Sequence, residues 1–85
     1  MRYLAVDLAA DRIRVNCVSG GPVETGSLDY VMSDPEVRAS GAAATPLGRL
    51  GRPEDLANVV SFLASGDGAW ITGQTVVADG GLSLR

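Results

Sequence analysis

Two short apolar stretches, "RIRVNCV" from Arg12 to Val18 and "QTVVA" from Gln74 to Ala78, lie far apart in the chain with a helical pattern between them. A strand, a crossover containing a helix and a second strand make a βαβ unit. Such units pair their strands in parallel through a right-handed crossover. Two parallel strands cannot cover both faces and both edges of their own sheet, and parallel sheets occur almost only when fully covered. The pattern therefore reads as a portion of a larger parallel sheet.

The rest of the chain fits around those strands. In "MRYLAVDLAADR", Met1, Leu4, Leu8 and Ala9 fall on one face at helical spacing, so residues 1–12 read as the end of a helix that starts without a cap. Ile13, Val15 and Cys17 alternate on one side of the strand at 13–18, and Val18 on the other side points to burial on both faces. Residues 19–52 read as a long, largely irregular connection of the kind that carries function. Within it, Leu28–Met32 and Pro35–Ala39 are short helix candidates, the second because Asp34-Pro35-Glu36 is a good helix start. Pro53 opens a stronger helix over 53–64. Glu54 and Asp55 sit in its first turn, where the dipole favours negative charge, and Leu56, Val59, Val60 and Leu63 form its apolar stripe. After the "SGDG" stop and the turn at Trp70–Gly73, the second strand runs over 74–79 and closes at Asp79-Gly80-Gly81.

Composition excludes several classes. The chain has 85 residues, a net charge of −3, no histidine and one cysteine. An intrachain disulfide and the common histidine-containing zinc sites are ruled out, which points to a reduced, cytoplasmic setting. Arg2, Arg12, Arg14, Arg49 and Arg52 are scattered rather than set in a stripe, which argues against nucleic acid. No apolar run approaches the roughly 18 residues of a membrane span, and the first residues lead into no signal-peptide core.

The most unusual local feature is "VNCVSGGPVET", where a short apolar strand breaks at Gly20-Gly21-Pro22 and resumes at Val23-Glu24-Thr25. Glycines at the end of a strand let a backbone pass very close to another group. Taken alone, the break reads first as an ordinary strand end.

Three blocks in order, "RIRVNCVSGGPVET", "GRLGRPEDLANVVSFLAS" and "ITGQTVVADGG", resemble the C-terminal third of the short-chain dehydrogenase/reductases, from Arg2 to Gly81. The branch they look most like is enoyl-acyl-carrier-protein reductase III, in which "SGGPV" stands in place of the commoner "APGFI". The resemblance implies an α/β fold: the last two strands and flanking helices of a Rossmann-like doubly wound parallel sheet, incomplete as a domain. It implies an NADPH- or NADH-dependent oxidoreductase acting on an enoyl- or 3-oxoacyl thioester, of the fatty-acid synthesis type, and a homodimer or homotetramer when intact. It also places the Gly20–Thr25 break along the nicotinamide ring, at the carboxyl edge of the sheet. By position, Val23 corresponds to the residue whose main chain holds the carboxamide, Thr25 to the hydroxyl that reaches the carboxamide or pyrophosphate, and Gly21 to the family's glycine. Pro22 stands where the family has a variable residue. Leu28, Tyr30 and Val31 fall in the substrate-side part of the connection.

Other residues carry blander readings. Tyr3 has Asp7 rather than a lysine four residues on, and the chain contains no lysine, so Tyr3 reads as a packing residue. Cys17 reads as an inert buried thiol. Asp29, Asp34 and Glu36 read as a solvated acidic loop rather than a metal site, and Arg49 and Arg52 as salt-bridging or capping residues. The tyrosine–lysine pair and the glycine-rich loop of the family are absent from these residues, so no catalytic residue is assigned. Met1 in mid-pattern leads to the expectation of a truncated reading frame or an internal start. The alternative is a catalytically inert remnant or interaction module that docks onto intact family members.

Overall fold

A computed structural model of the chain describes residues 1–21 and 34–84. Among them are three α-helices, α1 (Arg2–Ala9), α2 (Pro35–Ala44) and α3 (Pro53–Ala64), and two strands, β1 (Cys17–Gly20) and β2 (Thr75–Ala78). Short 3-10 turns follow α3 at Gly66–Gly68 and β2 at Leu82–Leu84.

β1 and β2 pair in parallel, with Cys17 opposite Thr75 and Gly20 opposite Ala78. The crossover between them carries α3, which lies against both strands. This is the α/β, parallel βαβ arrangement that the sequence pattern dictates. The first strand forms later than 13–18, however. Ahead of Cys17 one backbone bond joins the segments, from the Gly73 amide to the Val15 carbonyl at 2.7 Å, and the rest of the pairing passes through side chains: the Val15 amide donates to Thr72 Oγ1 at 3.1 Å, Asn16 Nδ2 donates to the Ile71 carbonyl at 3.0 Å, and the Gln74 amide donates to Asn16 Oδ1 at 3.1 Å. The facing segment turns through Gly73 at φ +72°, so no regular ladder can extend there. The second strand is correspondingly trimmed to Thr75–Ala78.

The sheet is covered on one face. Val18, Val76 and Ala78 are half-buried on the side of α3, whereas Cys17, Ser19, Thr75 and Val77 are exposed on the other. Burial of β1 on both faces is thus corrected, and with it the reading of Cys17 as a buried thiol: the cysteine is free and exposed. Burial of a parallel strand requires a helical layer on each side, and the described residues supply one.

The core is accordingly small. Ala5, Leu50 and Leu63 are the buried apolar side chains among the described residues, while Tyr3 and Trp70 are 88% and 99% exposed. The radius of gyration is 15.6 Å, against roughly 12 Å for a compact domain of this length. α1 buries Ala5 rather than the face of Met1 and Leu4, because the helix rests on Gly73, where a Cβ would come within 3.4 Å of the Ala5 methyl. The turn that follows it closes at Arg12, whose φ of +61° is left-handed, with the Arg12 amide bonded to the Ala9 carbonyl at 2.9 Å and the Ile13 amide to the Leu8 carbonyl at 3.2 Å. That is a Schellman end with arginine in the place usually held by glycine.

α2 replaces the short helix candidate at Pro35–Ala39 with ten residues. Asp34 caps it, its Oδ1 accepting the Glu36 amide at 2.9 Å, and Pro35 takes the first helical position. α3 keeps the bounds 53–64. At its start the Arg52 amide donates to Asp55 Oδ2 at 2.8 Å, and Arg49 forks onto the same carboxylate at 2.7 and 3.1 Å. Arg49 therefore salt-bridges, and Arg52 joins the helix start through its backbone.

Candidate functional site

Parallel pairing brings the carboxyl ends of β1 and β2 side by side, and both end in glycines: Gly20-Gly21 after β1, and Gly80-Gly81 beyond Asp79 after β2. In open α/β sheets this edge is where ligands bind. Gly20 lies under α3, where a Cβ would meet Leu56 Cδ1 at 2.9 Å. A Cβ on Gly21 would stand 2.9 Å from Asp79 Cβ and 3.3 Å from Asp79 Cα. Leu56 Cδ1 is the far end of a flexible side chain and can give way, whereas Asp79 Cα is backbone and cannot. Gly21 is therefore required by its neighbour in the fold, whatever binds outside.

Asp79 organises the end of β2. Its Oδ1 accepts the Gly81 amide at 3.0 Å and its Oδ2 the Ser83 amide at 2.9 Å. These bonds, the one from the Ser83 amide foremost, hold its carboxyl below the usual carboxylate range. The backbone turns through Gly80 at φ +65° and Gly81 at φ +92°. The segment leaving α2 rests on this turn. The Leu47 amide donates to the Gly80 carbonyl at 3.0 Å, and a Cβ on Gly80 would come within 2.6 Å of Thr45 Cγ2. Thr45 is buried and donates its hydroxyl to the Gly41 carbonyl at 2.8 Å.

Of the residues singled out in the sequence, Gly21 is at this edge. Pro22, Val23, Thr25, Leu28, Tyr30 and Val31, like the helix candidate at Leu28–Met32, lie outside the described residues. The larger concavities are elsewhere. Hollows of about 570 and 590 Å³ are lined by Arg12, Arg14, Val60 and Leu63, and by Ile13, Ala69 and Trp70. They flank the approach to β1, which has one neighbouring strand among the described residues, so they are surfaces of an open sheet edge rather than enclosed sites.

Sequence reasoning missed three polar residues that shape the fold beneath the site. Arg14 Nη1 donates to the Leu63 carbonyl and, at 2.8 Å, to the Gly68 carbonyl, which closes the carboxyl end of α3 with a cation. Asn16 and Thr72 stitch the two strand approaches together. An arginine and an asparagine inside an apolar strand must find partners, and that is the signal that was available. Asp79 was legible as a turn former, since an aspartate before two glycines favours an Asx turn.

A family model described as enoyl-(acyl carrier protein) reductase matches residues 1–83. The chain belongs to the short-chain dehydrogenase/reductase family. A 3-oxoacyl-[acyl-carrier-protein] reductase of Chlamydia pneumoniae is 46% identical over 82 residues, which are 96% of this chain and 32% of that protein. A short-chain type dehydrogenase/reductase from Mycobacterium ulcerans superposes with a TM-score of 0.90 at 36% identity, over 100% of this chain and 31% of its own. The angucycline C-6 ketoreductase LanV with bound NADP superposes at 0.87 with 37% identity, over 98% of this chain and 32% of that one. This short-chain dehydrogenase/reductase chain thus spans about a third of the length of the curated relatives it matches. Its two strands and three helices correspond to part of a Rossmann-type fold.

Proposed function

We propose that the chain is the nicotinamide-side portion of an NAD(P)(H)-dependent oxidoreductase that reduces an enoyl- or 3-oxoacyl thioester. The observation that carries this reading is the pair of glycine-ended parallel strands, with Gly20 and Gly21 at the carboxyl edge where such sheets bind nucleotides. A nicotinamide fits there. Gly20 and Gly21 have no side chain, the directions a Cβ would take run inward onto Leu56 and Asp79, and Gly20 is exposed. When bound, the dinucleotide supplies the hydride. The part of this chain is to bind and orient: Gly21 and Pro22 set the path, the Val23 main chain takes the carboxamide and the Thr25 hydroxyl fixes its orientation. Leu28, Tyr30 and Val31 would face the acyl group. The thioester substrate is supported by the family model and by the 3-oxoacyl reductase relative. The chain holds no lysine, so a tyrosine–lysine proton donor has to come from outside these residues.

The reading is tested in the assembled enzyme. Thr25→Val removes a hydroxyl and leaves its polar partner bare, which costs about 1–3 kcal/mol and lowers kcat/KM for the dinucleotide roughly 5- to 150-fold. Val23→Ala keeps the main-chain contacts and should change it far less. Equal effects of the two would sink the assignment. Gly21 is a poor probe here, because Asp79 already fills the space a side chain would need. The glycine-rich phosphate-binding loop that the family resemblance implies has no counterpart in this sequence, so calorimetry on the 85 residues alone should show NADPH and NADH binding no tighter than about 1 mM, near −4 kcal/mol.

The second reading, an inert module that docks on intact family members, draws on the exposed Trp70 and Ile13 beside the open edge of β1. It predicts co-purification with an intact relative and no effect of Thr25→Val on that relative's turnover.

A further inference from the structure

The segment between Gly21 and Leu47 enters and leaves the fold against one turn. On entry, Gly21 is packed on Asp79 so closely that a Cβ has no room. On exit, Leu47 is bonded to the Gly80 carbonyl, Thr45 Cγ2 fills the space beside Gly80, and a Cβ on Gly81 would meet Pro46 Cβ and Cγ at 3.1 Å. The turn is itself fixed from behind, since Asp79 spends both carboxylate oxygens on the Gly81 and Ser83 amides. α2, which the exit segment carries, buries no side chain of its own. It is held at its end, by Leu50 lying over Gly41, where a Cβ would come within 2.8 Å of Leu50 Cδ2, and by Thr45.

We infer that the Asp79–Gly81 turn is a positioning element that ties both stems of this segment to a single point, so that a shift at Thr45–Leu47 is transmitted to Gly21. Close packing makes the tie stiff, because neighbours with no room even for a methyl group between them have little space to shift independently. The inference rests on the proposed reading only in naming what is positioned, the start of the nicotinamide loop. Asp79, Gly80 and Thr45 touch no reacting atom and act through the backbone at Gly21.

The test uses the full chain and residue-resolved amide signals. Gly80→Ala drives a methyl into Thr45 Cγ2. It should speed hydrogen exchange of the Leu47 amide at least about tenfold and shift the Gly21 resonance, with Val59 in the middle of α3 unchanged. Adding Thr45→Ser, which removes Cγ2 and keeps the hydroxyl for the Gly41 carbonyl, should reverse the part of both changes that comes from this clash, while the left-handed φ of +65° at residue 80 retains the rest. An unmoved Gly21 resonance, or a Val59 amide that accelerates as much as Leu47, overturns the tie. Should Gly80→Ala not fold, Thr45→Ser alone decides: it must shift Gly21, and a change confined to residues 41–48 overturns the inference. The Thr25→Val and Val23→Ala pair in the assembled enzyme separates the two readings. Coupling that persists while those two variants change kcat/KM equally supports the tie and removes the cofactor assignment, whereas unequal effects without coupling do the reverse.

Discussion

Removing the Arg14 side chain should destabilise the fold at the carboxyl end of α3. Its Nη1 carries two hydrogens and faces the carbonyls of Leu63 and Gly68, with Ile71 a marginal third acceptor at 3.5 Å. Leu63 and Gly68 are both buried, so Arg14→Met removes the charged donor from two buried carbonyls at the carboxyl end of α3; the Gly68 carbonyl keeps the Ile71 amide at 3.0 Å, and the helix dipole there also favours a cation. A hydrogen bond from a charged donor is worth about 1.5–3 kcal/mol net. Arg14 is only half-buried and the Gly68 carbonyl keeps the Ile71 amide, so we expect a loss of about 2–3 kcal/mol for the two bonds together. In a domain of this size that lowers Tm by about 10–20 °C. Urea and thermal unfolding followed by circular dichroism measure it directly. Arg14→Lys supplies a point charge through a single donor atom, as Nη1 does, and should lose about 1 kcal/mol. A Met variant within 0.5 kcal/mol of the parent would refute the reasoning, and a Lys variant as unstable as Met would show that the charge at the helix end is not what matters.

Asp55 gives a pH signature. The fork from Arg49, followed by the Arg52 amide, lowers its pKa from the ordinary 3.8 to about 2. A depressed carboxylate stabilises the fold above its unfolded pKa and loses that contribution as the pH falls through its folded pKa. Tm should therefore drop between pH 4 and pH 2 by an amount that Asp55→Asn abolishes, and an identical pH profile in the variant would contradict the pairing. Arg12→Gly should stabilise. The residue is left-handed at φ +61°, and replacing it by glycine relieves about 1 kcal/mol, less the entropy glycine adds to the unfolded chain. A lower Tm in the variant would mean that the arginine side chain contributes more than its backbone costs.

How far the sequence reached depended on where the partner of each residue lay. α3 was legible to its ends because its start, Pro53 with Glu54 and Asp55, and its stripe are local. α2 was read as half its length because "RASGAAA" has no apolar period and Gly41 looks like a stop. That glycine is there to receive Leu50, a contact nine residues on that no local pattern announces. The strand at 13–18 was displaced because its alternation begins at Ile13, whereas ahead of Cys17 a single backbone bond, from Gly73 to Val15, is joined by bonds of the Thr72 and Asn16 side chains in place of a regular ladder. Cys17 was taken as buried because a parallel strand is normally covered twice, an assumption about layers rather than about the cysteine. For the candidate site, the glycine break was visible in the sequence, and the reason Gly21 must be glycine was not. It depends on Asp79, brought alongside by the sheet register.

That register also sets a kinetic order. Asn16 and Gln74, which open the strand pairing, are 58 residues apart in the chain. Closing a loop of that length costs about 4 kcal/mol of chain entropy before any ladder bond can offset it. α3 and the Ser65–Gly68 turn that follows it close locally and meet no such barrier. They supply the Leu63 and Gly68 carbonyls on which Arg14 lands, two residues ahead of Asn16. The arginine thus shortens the search for its own strand: once it is seated, Asn16 is within reach of Ile71, and the pairing closes from there toward the glycines.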